Sequence, residues 1–285
     1  MQMQTAEYGF NCSIIRNDPQ LNLIKVALCL SGLVSSRFIV YHYVQCVIFP
    51  ATFMLISERF MAITVFIFGL PGSGKSAAAR HIKSFARQKK FRPQRFRDYT
   101  ILYKMFRNDQ KANNEEKRFR STQYLGYDGF DVLEPHFDVF NEALQKLHHN
   151  IVQRERLADD SIELLIIEFS RDDYCEALSF FTSLQLHEAH FLFINSNIPT
   201  CKARIKARAD HPRTLDDRYV SDYIFEAYYQ RDHQQYMTEV ALQLKQRFGV
   251  PIEHIQVIHN GPETSVQQFY QAVESFANDL LKIKV

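Results

Sequence analysis

AITVFIF-GLPGSGKS, residues 62–76, decides the fold. Seven apolar or β-branched residues open directly onto a glycine-rich turn, and a helix-forming segment follows. This is the strand, loop and helix context in which a phosphate-loop match carries meaning. Gly69, Gly74, Lys75 and Ser76 satisfy the pattern GxxxxGK followed by Ser or Thr. In such a loop, Gly69, Leu70, Pro71, Gly72, Ser73, Gly74 and Ala77 supply backbone that curls around an anion, and the helix adds its unsatisfied N–H groups and positive dipole end. Lys75 then reaches the β and γ phosphates of ATP, and the Ser76 hydroxyl binds Mg²⁺.

Composition bounds the rest. A chain of 285 residues with formal charge +2 and interspersed acids and bases has no strong electrostatic pull toward nucleic acid, so no nucleic-acid partner is expected. The five cysteines, Cys12, Cys29, Cys46, Cys175 and Cys201, are scattered without a CxxC pair, which argues against a disulfide framework or a zinc site and for a reduced, cytoplasmic setting. Residues 1–60 differ in character. The stretch 38–57 has no formal charge and approaches a bilayer-crossing length, but His42, Gln45 and Pro50 interrupt it. Three readings stand for it: an upstream segment preceding a natural start at Met61, a membrane-associating segment, or an ordered extension.

Beyond the loop, residues 77–90 read as an amphipathic helix whose basic face is solvated. A short second strand closes near Phe96, and Asp98 follows it. In open α/β sheets ligands gather outside the carboxyl ends of strands, so Asp98 stands where an acceptor hydroxyl can be oriented or deprotonated, or else it caps the next helix. Residues 108–129 are polar and helix-poor, an insertion of the kind that covers a substrate. Within it, Arg118 and Arg120 either clamp an acceptor phosphate or lie solvated. Phe137, Phe140, Leu144 and Leu147 mark a long helix to about Arg156, with His148 and His149 on its surface.

SIELLIIE, residues 161–168, is a second buried strand, and it ends on an acid. That is how a Mg²⁺-side carboxylate is presented beside a phosphate loop, so Glu168 is the metal-side candidate with Ser76. Arg171 then faces the acceptor or the transferred group, and Asp172 or Asp173 starts a helix. HFLFINSN, residues 190–197, is a further strand, after which Pro199 opens a helix. Arg204 and Arg208 lie on one face of that helix, aimed at phosphates, or belong to a solvated basic helix. A mobile stretch containing Arg213 and Arg218 has the composition of a lid. Tyr228, Tyr229 and Tyr236 pack with hydroxyls outward. A last strand over 253–258 leads to Asn260 and Gly261, whose backbone can approach an adenine ring, and then to an amphipathic terminal helix.

Together, GLPGSGKS, the Asp98 turn, IIEFSRDDY, CKARIKAR with DDRYVS and AYYQRD, and VIHNG resemble the nucleoside and nucleotide kinase branch of phosphate-loop proteins, over residues 61–285. The resemblance implies a three-layer α/β/α fold on a five-stranded parallel sheet, here with an atypical N-terminal extension, an acceptor region at about 98–130 and a lid at about 204–222. It implies ATP and Mg²⁺ as cofactors and phosphoryl transfer to a small acceptor, by a monomer or homodimer. Lys75 and Ser76 would serve ATP and metal, Asp98 and Arg171 the acceptor, Arg204 and Arg208 the lid. The DGFPR-type segment of adenylate kinases and the DRY/H-type segment of thymidylate kinases are replaced by EFSR, which leaves the acceptor unnamed. No NKxD element supports a GTPase. Two rivals stand: a nucleotide-dependent switch that binds a partner, and a toxin-like kinase of a nucleotide sugar.

Overall fold

The chain alternates strands and helices in the order β1 (Ile63–Phe68), α1 (Lys75–Gln88), β2 (Pro93–Arg97), α2 (Asp98–Lys111), β3 (Phe119–Tyr124), β4 (Tyr127–Val132), α3 (Val139–Leu157), β5 (Leu164–Glu168), α4 (Tyr174–Leu178), α5 (Ser183–His187), β6 (His190–Asn195), α6 (Ile198–Asp210), α7 (Asp222–Ala227), α8 (His233–Phe248), β7 (Ile255–His259) and α9 (Val266–Lys282). This computed structural model describes residues 62–282 apart from 113–115, 125–126, 158–163 and 211–218. The expectations for residues 1–60, for the start of the 161–168 strand and for Arg213 and Arg218 lie outside the described residues.

Five strands form one sheet in the order β2-β5-β1-β6-β7, and every neighbouring pair is parallel. An all-parallel sheet is covered on both faces, which is why β1, β5 and β6 read as continuous apolar runs. Successive side chains of β1 go to opposite layers. Phe66 and Phe68 enter a core with Leu144 and Leu147 of α3, Tyr174 of α4 and Val240 of α8. Val65 and Ile67 pack on Ala78 and Ile82 of α1 and Val273 of α9. The first layer is aromatic: Phe66 stacks on Phe191 at 5.4 Å and meets Phe181 edge-on at 5.0 Å. Truncating Phe66, fully buried at the sheet centre, would cost about 3–5 kcal/mol.

The register brings the strand ends to one edge. Ile67 and Arg97 both sit opposite Glu168, Phe68 is opposite Phe193, and Asn195 is opposite His259. The loop after β1, Asp98 after β2, Glu168 and Arg171 around the end of β5 and Asn260 after β7 therefore share one rim.

The segment expected as a helix-poor insertion is ordered differently. α2 continues to Lys111, and β3 and β4 form an antiparallel hairpin with Phe119 opposite Val132. Phe119, Phe130 and Val132 pack against Leu102, Met105 and Phe106 of α2, which supplies the apolar face a two-stranded hairpin needs. Lys117 closes the end of α2 by donating to the carbonyls of Asp109, at 2.6 Å, and Ala112. Arg118 pairs with Glu142 at 2.8 Å and Arg120 with Asp131 at 2.8 Å, so both arginines secure the hairpin. The last strand begins at Ile255 because residues Ile252–His254 form a 3₁₀ turn after Pro251. Among the described residues, no helix is long and apolar enough to cross a membrane.

Candidate active site

β1 ends at Phe68, and the chain turns through residues 69–74 into α1. Two positions show why glycine is needed. Gly72 has φ +84°, and a Cβ there would lie 2.5 Å from the carbonyl oxygen of Cys201. Gly74 has φ +114° and precedes a helix whose N-terminus receives no side-chain cap. The first N–H groups of α1 thus face outward with the dipole behind them, as an anion site requires. The Ser73 hydroxyl, fully buried in the loop, has no hydrogen-bond partner among the described residues. The Lys75 ammonium folds back onto the Leu70 carbonyl at 2.8 Å. Burial lowers its pKa to about 8 against the pull of Glu168, and a phosphate alongside would raise it again.

Two supports of the loop left no mark in the sequence. Gly69 N–H donates to the Tyr174 hydroxyl at 2.9 Å, and burial pushes that phenol far above its ordinary value, so it stays protonated. Tyr236, expected to face outward, instead turns its hydroxyl inward to accept from the Tyr174 N–H at 3.1 Å. The second support is Asn260, whose amide donates to the Ser73 carbonyl at 2.7 Å.

Glu168 stands beside the first turn of α1. Its Oε1 accepts from the Ser76 hydroxyl at 2.5 Å. Its Oε2 accepts from Arg95 Nε at 2.9 Å and Nη2 at 2.6 Å. The sequence paired Ser76 with Glu168 and missed Arg95, which sits on the edge strand β2 with no motif around it.

Asp98 is the first residue of α2, not its cap. Its carboxylate reaches across to Arg171, whose Nη1 donates to Oδ2 at 2.5 Å. Both are nearly water-free, with side-chain exposures of 8% and 2%. Arg171 also donates to the carbonyls of Ser170 at 2.5 Å and Phe140 at 2.6 Å, and lies over the Phe140 and Phe169 rings at 5.2 and 5.6 Å. Burial raises the Asp98 carboxyl above its ordinary value, although Arg171 opposes the shift.

A single cavity of about 330 Å³ joins these groups. Gly72, Gly74, Lys75, Ser76 and Ala77 line it with Glu168, Asp98 and Arg171. Tyr99, Phe130, Phe140, Phe169 and Tyr229 give it aromatic walls. The hairpin thus contributes a wall, as the expected insertion was to do, but through a packed sheet. Tyr219 and Val220 also line the cavity. The hairpin is fastened to residues 219–221, since Ser221 donates to the fully buried Asp131 at 2.6 Å and Gly129 bridges to Tyr219.

Arg204 and Arg208 also reach the cavity. Arg204 is engaged with the turn after β7: Nη1 donates to the Asn260 carbonyl at 2.8 Å, and Nη2 to Asn260 Oδ1 at 3.2 Å and the Gly261 carbonyl at 3.3 Å. Asn260 and Gly261 therefore have their carbonyls engaged by Arg204, and neither lines the cavity. Gly69, Leu70 and Ser73 form the back of the loop. Leu70 is packed with Cys201 and Ile205 of α6.

No protein-family model matches the chain. No curated protein matches it either. Solved structures similar to it include the APS kinase of Mycobacterium tuberculosis in complex with AMPPNP and APS, at 15% identity over 78% of this chain and 98% of that one, with a TM-score of 0.42. Another is the shikimate kinase of Acinetobacter baumannii in complex with shikimate, at 8% identity over 80% and 98% of the two chains, with a TM-score of 0.40. A third is a sugar kinase from Janibacter sp. HTCC2649, at 11% identity over 76% and 95%, with a TM-score of 0.39. Likeness this distant bears on neither substrate nor activity. The strand order, the parallel pairing and the loop at residues 69–76 give this chain a three-layer α/β/α fold with a phosphate-loop-type turn after its first strand.

Proposed function

We propose that this chain is an ATP- and Mg²⁺-dependent kinase that phosphorylates a small acceptor, a nucleoside or nucleotide. The observation that carries the reading is one cavity lined both by a phosphate loop and by a buried Asp98–Arg171 pair. The uncapped start of α1 and the glycine backbone fit a triphosphate. Ser76 and Glu168, one hydroxyl and one carboxylate, are hard oxygen donors that would hold a magnesium ion. Bound there, the ion would neutralise charge on the β and γ phosphates.

This chain's own residues do the rest. Lys75 leaves the Leu70 carbonyl and takes a phosphate oxygen, which stabilises charge developing on the transferred group. Asp98 has Oδ2 committed to Arg171, which leaves Oδ1 to orient an acceptor hydroxyl and receive its proton. Arg171 holds that carboxylate in place, and Arg208 supplies positive charge on the phosphate side. The aromatic walls exclude water and suit a flat ring, which favours a base-bearing acceptor over a sugar.

Incubation with γ-labelled ATP and a pool of nucleosides, nucleotides, sugars and sugar acids tests the proposal. Label is expected in a base-bearing acceptor, with transfer lost in Lys75→Ala and Asp98→Asn variants that melt as cooperatively as the parent. Transfer that survives Lys75→Ala rejects the site. Nucleotide binding with no acceptor labelled rejects the kinase reading in favour of a nucleotide-dependent switch.

A further inference from the structure

Arg95 has no place in the phosphate-loop pattern, yet both its Nε and Nη2 donate to the Glu168 carboxylate. It lies on β2 opposite Ile166, one pleat below the pairing of Arg97 with Glu168. Residues paired across parallel strands point to the same face, and alternate residues of one strand share it. Arg95 therefore runs up the α1 side of the sheet to the end of β5. Both nitrogens converge on Oε2, and the pair is nearly closed to water, with side-chain exposures of 11% and 8%. Oε1 is left to Ser76.

A buried ion pair is weak evidence for stability, because desolvation of two charges consumes most of the attraction between them. Its effect on geometry is definite. With Oε2 pinned by a two-nitrogen fork, the carboxylate cannot swing, and Oε1 is held beside the Ser76 hydroxyl at the mouth of the phosphate loop. We propose that Arg95 is a positioning residue for the metal side of the site: it fixes Glu168 so that Oε1 faces the divalent cation carried by a bound nucleotide. The inference rests on the reading of Ser76 and Glu168 as the metal-side residues.

Titration of the full chain with Mn²⁺ in the presence of ADP, followed by the electron paramagnetic resonance of free Mn²⁺, tests this without any turnover. Arg95→Ala is expected to weaken Mn²⁺ binding about 10- to 100-fold, the usual cost of removing a partner of a metal-side residue. ADP affinity in EDTA should change less than about twofold, since Arg95 does not reach the phosphate cradle. Arg95→Lys, which keeps a cation but not the fork, should recover part of the loss. On a Glu168→Gln background, Arg95→Ala should add nothing, which a general loss of packing would not reproduce. Should Arg95→Ala melt before assay, Arg95→Lys and Arg95→Gln carry the same comparison. Parental Mn²⁺ affinity in the Arg95 variants, or an undiminished loss on the Glu168→Gln background, overturns the positioning role while leaving the kinase reading intact. Absence of Mn²⁺·ADP binding in the parent overturns the metal-side assignment and this inference together.

Discussion

Arg171→Met puts the buried pair to a quantitative test. In the parent, Arg171 and Asp98 are 2.5 Å apart and almost wholly removed from water. Replacing the guanidinium by an unbranched thioether keeps most of the volume but strands the Asp98 carboxylate without its cation. Breaking a buried pair from one side costs about 3–5 kcal/mol. For a domain of this size that is a fall in Tm of roughly 6–20 °C. The pH dependence identifies the cause. Burial already raises the Asp98 carboxyl, and Arg171 is what opposes the rise, so the variant's carboxyl moves higher still. A carboxyl raised in the folded state binds a proton there before it does in the unfolded chain. Its penalty is absent below the unfolded value near pH 4 and grows as pH rises through the folded value. The variant's deficit in urea unfolding should therefore be largest at pH 8 and shrink toward pH 4. Asp98→Asn in the same background should recover most of it at pH 8. A deficit below about 1 kcal/mol, or one equal at pH 5 and pH 8, would refute the claim that a stranded charge is responsible.

Gly72→Ala sets a methyl against the Cys201 carbonyl at 2.5 Å in a left-handed backbone, so nucleotide affinity by calorimetry should fall at least 10-fold while β1 and α1 remain folded. Tyr174→Phe leaves the Gly69 N–H without its acceptor at 2.9 Å, which should cost about 1–3 kcal/mol in thermal unfolding and raise KM for ATP more than it lowers kcat. Burial and the neighbouring His254 ring, 4.2 Å away and tilted, lower the His190 pKa to about 4. The stability that depends on neutral His190 is complete above pH 6.5 and is lost as pH falls toward 4, about 2 kcal/mol after allowance for solvent screening. His190→Leu should flatten that part of the acid unfolding profile.

The legible parts of the fold were those with a strong local cause. The apolar run before Gly69 and the apolar runs ending at Glu168 and Asn195 mark strands buried on both faces, and Lys75, Ser76, Asp98, Glu168 and Arg171 fall where strand ends must meet. The hairpin was opaque because FRSTQY and YDGFDV alternate only briefly, and their apolar side finds its partner in α2, which no local window contains. Arg95 was opaque for a related reason: its meaning lies in the residue opposite on β5, and parallel register is not written in either strand. Spacing on one helix face aims Arg204 and Arg208 at the strand ends, and both line the cavity; the hydrogen bonds of Arg204 to the Asn260 turn have no local signal in the sequence. Tyr236 was taken as amphipathic in the usual sense, yet an unsatisfied N–H at the start of α4 draws its hydroxyl inward.

The line from Tyr236 through Tyr174 to Gly69 ties α8 to the first residue of the phosphate loop by two short hydrogen bonds. The first residue of the loop is thereby braced from the layer opposite the helix it feeds, so removing the Tyr236 hydroxyl takes an acceptor from the start of α4 without touching any cavity-lining atom.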